Sequence, residues 1–329
     1  MKVRNWFFGT IAFLIASVLF LMASGTKEIS VFSIISHFSP FDSSNLELAD
    51  QIILSKVRLP RILLALVVGA ALAVSGICQQ AIFRNPLADP FILGLSGGAA
   101  LGAALAICLN HSEYISFAAF IGGIGAIFLV EALSGRYGKN DRSITQLLLV
   151  GMAISAFSSA LLSTIMSIYS QQMQAIFFWV MGSVAQPPDN FFFLSILIFV
   201  GITILFSYHR EMDIITLGEE QAFFLGIPIK QLRKMLLLLS AFIVSIAVSM
   251  SGPIGFIGLI TPHLLRNWFT PTHRYLLPLA ALWGGILLLW SDGLIRLFPL
   301  FSSLPIGAVT ALFGSPFFLY ILIQRGKRI

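Results

Sequence analysis

The sequence predicts an all-α, polytopic membrane protein with about ten transmembrane helices in a single domain, residues 1–329. Three observations predict it. Charged residues make up only 10% of the chain, against about 25% in soluble domains, so polar surface is too scarce to cover a particle in water. Mean hydropathy is +0.93. Apolar runs follow one another from end to end, most near the roughly 20 residues a helix needs to cross the hydrocarbon core.

The runs lie at 6–23, 60–82, 91–109, 115–134, 144–166, 190–208, 232–251, 254–268, 276–297 and 304–324. The first follows Lys2 and Arg4 and resembles a signal peptide. Its apolar stretch exceeds the ~7–15 residues of such a segment, and Met22-Ala23-Ser24-Gly25 is a poor cleavage site, so it reads as an uncleaved span. The eighth run is short and opens on Gly252-Pro253.

Charge decides whether that eighth run counts. With the N-terminus inside and every run crossing, Arg84, Arg136, Lys139, Arg142, Arg210, Lys230, Arg233, Lys234, Arg266 and Arg274 fall on the cytoplasmic side. So does the tail with Arg325, Lys327 and Arg328, while loops 110–114, 167–189 and 252–253 hold no Lys or Arg. This is the positive-inside pattern, and it requires all ten crossings and two cytoplasmic termini. The net charge of +6 is thereby explained by membrane topology. No basic run interleaved with aromatics occurs, which argues against a nucleic-acid partner.

Lys27, Lys56, Arg58, Arg61 and Arg296 are the exceptions, placed on the outer side. Loop 25–57, with Pro40, Asp42, Glu47 and Asp50, is the longest outer loop and is expected to carry a short surface helix. Gly94, Gly98 and Gly102 recur every fourth residue, a row that lets helix backbones approach closely in lipid. Cys78 and Cys108 fall near opposite ends of neighbouring spans, beyond the ~7 Å reach of a disulfide, and are expected to stay reduced.

Several chemistries lack their groups. There is no G-x-x-x-x-G-K-[ST] phosphate loop; Gly138-Lys139 and Gly326-Lys327 lack the first glycine and the hydroxyl. H-E-x-x-H and Cys/His clusters are missing too, and His263 reads as a helix-end residue bonded to backbone. Ion-coupled transport would use ionisable residues deep in the bilayer, for which Glu131 and Asp292 are the candidates. Asp292 is four residues from Arg296 on one helix face, which favours a structural ion pair over a proton site.

Loop 209–231 is more specific. Leu217-Gly218-Glu219-Glu220-Gln221-Ala222-Phe223-Phe224-Leu225-Gly226 reads as one or two short helices, acidic in the first turn and capped by Gly226. Ala222, Phe223 and Leu225 give it an apolar side although it lies outside the bilayer. Spacing leaves two readings level: a loop tucked against the membrane, or a knob for a groove on a soluble partner.

Several segments, in order, resemble the FecCD-type permease family of vitamin B12, ferric siderophore and haem importers. They are Arg58-Leu59-Pro60-Arg61, Arg84-Asn85-Pro86-Leu87-Ala88-Asp89-Pro90 with Gly94-Leu95-Ser96-Gly97-Gly98, the 217–226 loop, Gly252 to Leu259 through Pro262-His263 and Arg266, Leu304-Pro305-Ile306-Gly307, and Gly314-Ser315-Pro316-Phe317. They run from about residue 55 to the C-terminus; the first fifty residues match only in kind.

The resemblance implies the type II ABC importer permease architecture: ten spans, a second permease subunit (identical or homologous), two cytoplasmic ATPase subunits and an extracytoplasmic substrate-binding protein, in the bacterial cytoplasmic membrane. It implies that this chain is no enzyme and binds no cofactor, ATP and Mg being used by the ATPase. Position by position, Arg58, Arg61 and Arg296 match outer-face arginines that dock the binding protein. Leu217, Gly218, Glu219, Glu220, Ala222, Leu225 and Gly226 match coupling helices seated in the ATPase. Asn85 and Leu87 match an inner constriction, and Thr145 a further gate position, where Ile144 departs from the expected small hydroxyl residue. Headgroup anchoring is the other reading of Arg58 and Arg61. A broad pathway with few charges suits a chelate better than a bare ion; ferric siderophore, haem, cobalamin and oxyanion all stay open as cargo, and an ion-coupled secondary transporter is the second reading of function.

Overall fold

The computed structural model describes residues 2–25, 27–37, 47–134, 144–268, 272–301 and 304–326. Arg136, Lys139 and Arg142 of one inner loop, Lys327 and Arg328 of the tail, and Pro40 and Asp42 of the outer loop lie outside them.

All regular structure among the described residues is helical. In chain order it comprises α1 (Lys2–Ala23), α2 (Val31–His37), α3 (Leu48–Ile52), α4 (Leu59–Phe83), α5 (Leu95–Cys108), α6 (Ile115–Ser134), α7 (Ile144–Ile168), α8 (Met173–Met181), α9 (Phe191–Ser207), α10 (His209–Leu217), α11 (Glu219–Phe224), α12 (Ile229–Ser251), α13 (Ile257–Trp268), α14 (His273–Leu297) and α15 (Ile306–Gly326). Each of the ten apolar runs forms a helix. The remaining helices are connectors.

Those ten helices are not ten equal spans. By length and composition six of the described helices can cross a membrane alone, or seven if α9 and α10, bent by 54°, count as one. α5 has 14 residues and α13 has 12, about 21 and 18 Å at 1.5 Å per residue, short of the ~30 Å core. Non-helical segments make up the difference. Residues 252–256 lead from the end of α12 to α13, whose Gly258 sits against Leu72 and Gly76 at the middle of α4. Residues 84–94 lead into α5, with Pro90 packed on the same Gly258 and Leu93 on Gly151 of α7. Irregular backbone at this depth is tolerated where protein buries it, which accounts for the short eighth run.

The outer loop also differs from expectation. It contains α2, and then α3 passes through one π-helical turn at Ile53–Arg58 into α4. The second span thus begins as a 36-residue helical stretch from Leu48, well before the Pro60 that appeared to start it.

α4 is the hub. It lies antiparallel to α14 with Gly69 against Gly284 and Leu66 against Gly285, so close that a Cβ on Gly69 would meet the Gly284 carbonyl. α5 and α6 pair the same way through Gly98 with Gly122 and Gly102 with Ala118. Two members of the predicted glycine row therefore do what the row suggested. Gly94 does not: it precedes the helix at φ 81° and packs on α7. α1 runs parallel to α14, and the Trp283 and Trp290 indoles donate to Thr10 Oγ1 (3.2 Å) and Ser17 Oγ (3.1 Å), satisfying N–H groups that lipid cannot. Cys78 and Cys108 are both free and buried.

Candidate functional site

Two ends of the bundle carry the polar chemistry. At one, the ends of α1, α4 and α14 converge. Asp292, fully buried in α14, accepts Arg61 Nε at 2.9 Å on each carboxylate oxygen and Arg61 Nη2 at 2.6 Å. Arg296, one turn further along α14, brings its Nε within 3.1 Å of the other face of the same carboxylate. The expected Asp292–Arg296 pair is therefore present, and the stronger bidentate partner is Arg61, from 231 positions away.

Arg58 requires a correction. Its expected role used an exposed guanidinium, but the residue is 5% exposed. It donates from Nη1 to the Met22 and Ala23 carbonyls and from Nη2 to that of Lys27, while Arg296 Nη1 donates to Leu21 O at 3.2 Å. The Leu21, Met22 and Ala23 carbonyls belong to the last turn of α1, which lacks helical donors for them, so Arg58 serves as a cap for α1 delivered by another helix and also holds the Lys27 carbonyl that follows it. Headgroup anchoring fails for the same reason. Arg61 keeps 21% of its side chain exposed and Arg296 14%. Beside them Lys27 pairs with Asp50 at 2.6 Å and Glu47 at 3.2 Å, and those two carboxylates, Asp50 foremost, hold its ammonium above the usual lysine range.

A cavity of about 1230 Å³ opens at this end. Lys56, Glu113, Trp179, Gln186, Asp189 and Ser251 are among its lining residues, drawn from the approach to α4, the start of α6, the end of α8, the 183–190 segment and the end of α12.

The opposite end carries α10 and α11. Gly218, at φ 132°, turns the chain between them. Gly226, at φ 72°, closes α11: Ile227 N–H reaches back to the Ala222 carbonyl at 3.1 Å, the six-to-one bond of a glycine-capped helix end. Gly226 is the cap that the sequence predicted. Ala222 packs inward, whereas Leu217, Phe224 and Leu225 are 64%, 78% and 61% exposed. Of the expected apolar residues Leu225 is exposed and Ala222 is not, and Leu217 and Phe224 join Leu225 at the surface. The side chains of Glu219, Glu220 and Phe223 lie outside the described residues.

Asn85 and Leu87 share one turn at this end, Asn85 Oδ1 accepting the Leu87 N–H at 3.0 Å just after α4 closes on Arg84 in the left-handed region at φ 48°. Asp89 follows; its carboxylate accepts the Phe91 N–H at 2.8 Å. Thr145 is exposed in the first turn of α7, and among the described residues no hydrogen bond joins it to Asn85 or Leu87. Glu131 lies 3.9 Å from Lys234. Both carboxylates named for ion coupling therefore sit beside cations, and nothing favours that reading.

Residues 13–324 match the FecCD transport family. Over 281 residues the chain is 40% identical to the hemin transport system permease protein HmuU of Yersinia pestis, covering 83% of each. Over 282 residues it is 39% identical to the cobalamin import system permease protein BtuC of Halobacterium salinarum, covering 84% of this chain and 75% of that one. Identity to the vitamin B12 import system permease protein BtuC of Escherichia coli is 36% over 275 residues, covering 83% and 84%. A solved structure described as a metal-chelate type ABC transporter in an inward-facing conformation superposes with a TM-score of 0.86 at 33% identity, covering 98% of this chain and 99% of that one. Such agreement across nearly the whole length, with permeases of import systems, makes this chain a member of the FecCD transport family.

Proposed function

We propose that this chain is the membrane-spanning permease of an ATP-binding-cassette importer, working beside a second permease subunit and moving a metal chelate into the cell. A ferric siderophore is the preferred cargo; the hemin and cobalamin permeases among its relatives make those two the alternatives. The observation that carries the reading is α11 with its flanks: Leu217, Phe224 and Leu225 stand exposed beyond the spans. Apolar side chains grouped on a short protruding helix call for a cover, and a groove on a soluble partner is the cover that fits a helix. The partner is an ATPase that binds ATP and Mg, and this chain contributes no phosphate loop of its own.

At the other end, on the outer side by the charge asymmetry, Arg61 and Arg296 keep their exposed edges for carboxylates of a binding protein, while Arg58 holds α1 in place. Cargo released above the outer cavity moves between the two permeases when ATP-driven closure pulls the coupling segments inward. Asn85, Leu87 and Thr145 serve as the inner gate.

Vesicles reconstituted with this chain, the ATPase and the binding protein should accumulate radiolabelled ferric siderophore only with ATP inside reach of the ATPase. Haem and cobalamin tested in parallel identify the cargo. Accumulation against a gradient by this chain alone, without nucleotide, overturns the proposal.

A further inference from the structure

The stem of the coupling segment is fastened to one distant helix by two side chains that no function above uses. Asp213, in the middle of α10, directs one carboxylate oxygen at the first residue of α14. That oxygen accepts the His273 backbone N–H at 2.9 Å and faces the imidazole Nδ1 at 2.5 Å. Since a carboxylate only accepts, Nδ1 carries the proton. Asp213 thus accepts the first N–H of α14, one of the donors a helix start leaves without a helical partner, from another element. His273 is 1% exposed, and its Nε2 has no hydrogen-bond partner among the described residues. Burying half of an imidazole unsatisfied is costly, and the link to Asp213 is what the ring makes in exchange.

α14 then continues for 25 residues, about 37 Å. Midway, Gly284 and Gly285 lie against the α4 backbone at Gly69 and Leu66, beside the Ala73 and Leu66 side chains. At the far end Asp292 holds Arg61 and Arg296. A contact this close leaves the two helices little room to slide past one another.

Resting on the importer reading, we infer that Asp213 and His273 are positioning residues that fasten the coupling segment to α14, making α14 the shaft between the ATPase and the binding-protein docking arginines.

The test uses the complete importer in nanodiscs, with the ATPase and binding protein that co-purify with the wild-type chain. Stimulation of ATP hydrolysis by loaded binding protein is measured beside basal hydrolysis and yield of assembled complex. Asp213→Ala and His273→Ala should each lower the stimulation about tenfold, within the usual range of coupling between sites, and the double variant should be no worse than either. Asp213→Asn keeps an acceptor for both N–H groups and should stay within about twofold of wild type. Basal hydrolysis and yield should stay within the same margin throughout. Unchanged stimulation, or a parallel fall of all three quantities as a purely structural cap would give, overturns the inference. A wild-type chain that brings no ATPase overturns the importer reading itself, a distinct outcome visible before any variant is made.

Discussion

Replacing Asp292 by asparagine should destabilise the protein more than any single change at the three arginines near it. The carboxylate is fully buried and is the counter-ion of both Arg61 and Arg296. Neutralising it leaves two cations facing each other where one anion separated them. Removing one partner of a buried ion pair costs about 3–5 kcal/mol. Arg61 and Arg296 retain 21% and 14% exposure, so water screens part of the charge and the low end, about 3 kcal/mol, applies. Arg61→Ala leaves Asp292 paired with Arg296 and should cost only about 1–2 kcal/mol. The double variant should fall short of the sum by about 1–2 kcal/mol, as contacting residues do. Thermal unfolding in detergent, read by a fluorescence probe of the buried thiols, gives these values as shifts in Tm, roughly 5 °C for Asp292→Asn. A shift under 1 °C, or strict additivity of the two single changes, would refute the claim that this carboxylate holds the α4–α14 junction together.

Two further outcomes follow from the same packing and exposure. Gly69→Ala or Gly284→Ala places a methyl group in the backbone of the facing helix and should cost about 1–3 kcal/mol by overpacking; Gly125→Ala, with nothing within 4 Å, should be neutral, and monodisperse yield with Tm compares them. Leu217→Asp combined with Leu225→Asp changes two exposed positions, so Tm should move by no more than about 1–2 °C while ATPase retained through purification drops more than about tenfold.

Hydropathy made the spans legible because lipid imposes a length and a composition that few other constraints imitate. Glycine spacing exposed the α5–α6 contact for a similar reason: close backbone approach admits no side chain, so it leaves a mark in the sequence. The cap at Gly226 was legible because a left-handed residue after a short helix is a local requirement. What stayed hidden was pairing at long range. Arg61 and Asp292 are 231 residues apart, and Asp213 and His273 sixty; no periodicity connects them. A usable signal did exist for the first pair. Arg61 stands near the start of one run and Asp292 near the end of another, at the same depth under the ten-span topology, and a charge inside a span demands an opposite partner at its own level. Arg58, by contrast, has its partners in backbone carbonyls of α1, groups every residue owns, and a sequence offers no way to single those out.

The same limit separates α4 from α7. Both are strongly apolar, yet most of the helix ending in α4 is buried and most of α7 is not. Composition does not distinguish them; the placement of small and hydroxyl side chains does. On α7, Ala156, Ser159, Ala160, Ser163, Thr164 and Ser167 are exposed, and several recur at a spacing of four. Ser163 and Thr164 satisfy their hydroxyls on the carbonyls of Ser159 and Ala160 at 2.9 Å, so lipid could tolerate them. Tolerance gives no reason for the grouping, however. Rows of small and hydroxyl residues are how helices meet helices in a bilayer, whereas lipid-facing positions on this helix are filled by Leu149, Met152 and Phe157. The importer reading supplies what the small face needs, a second permease across a shared pathway, and a single-chain transporter would leave that face turned to hydrocarbon.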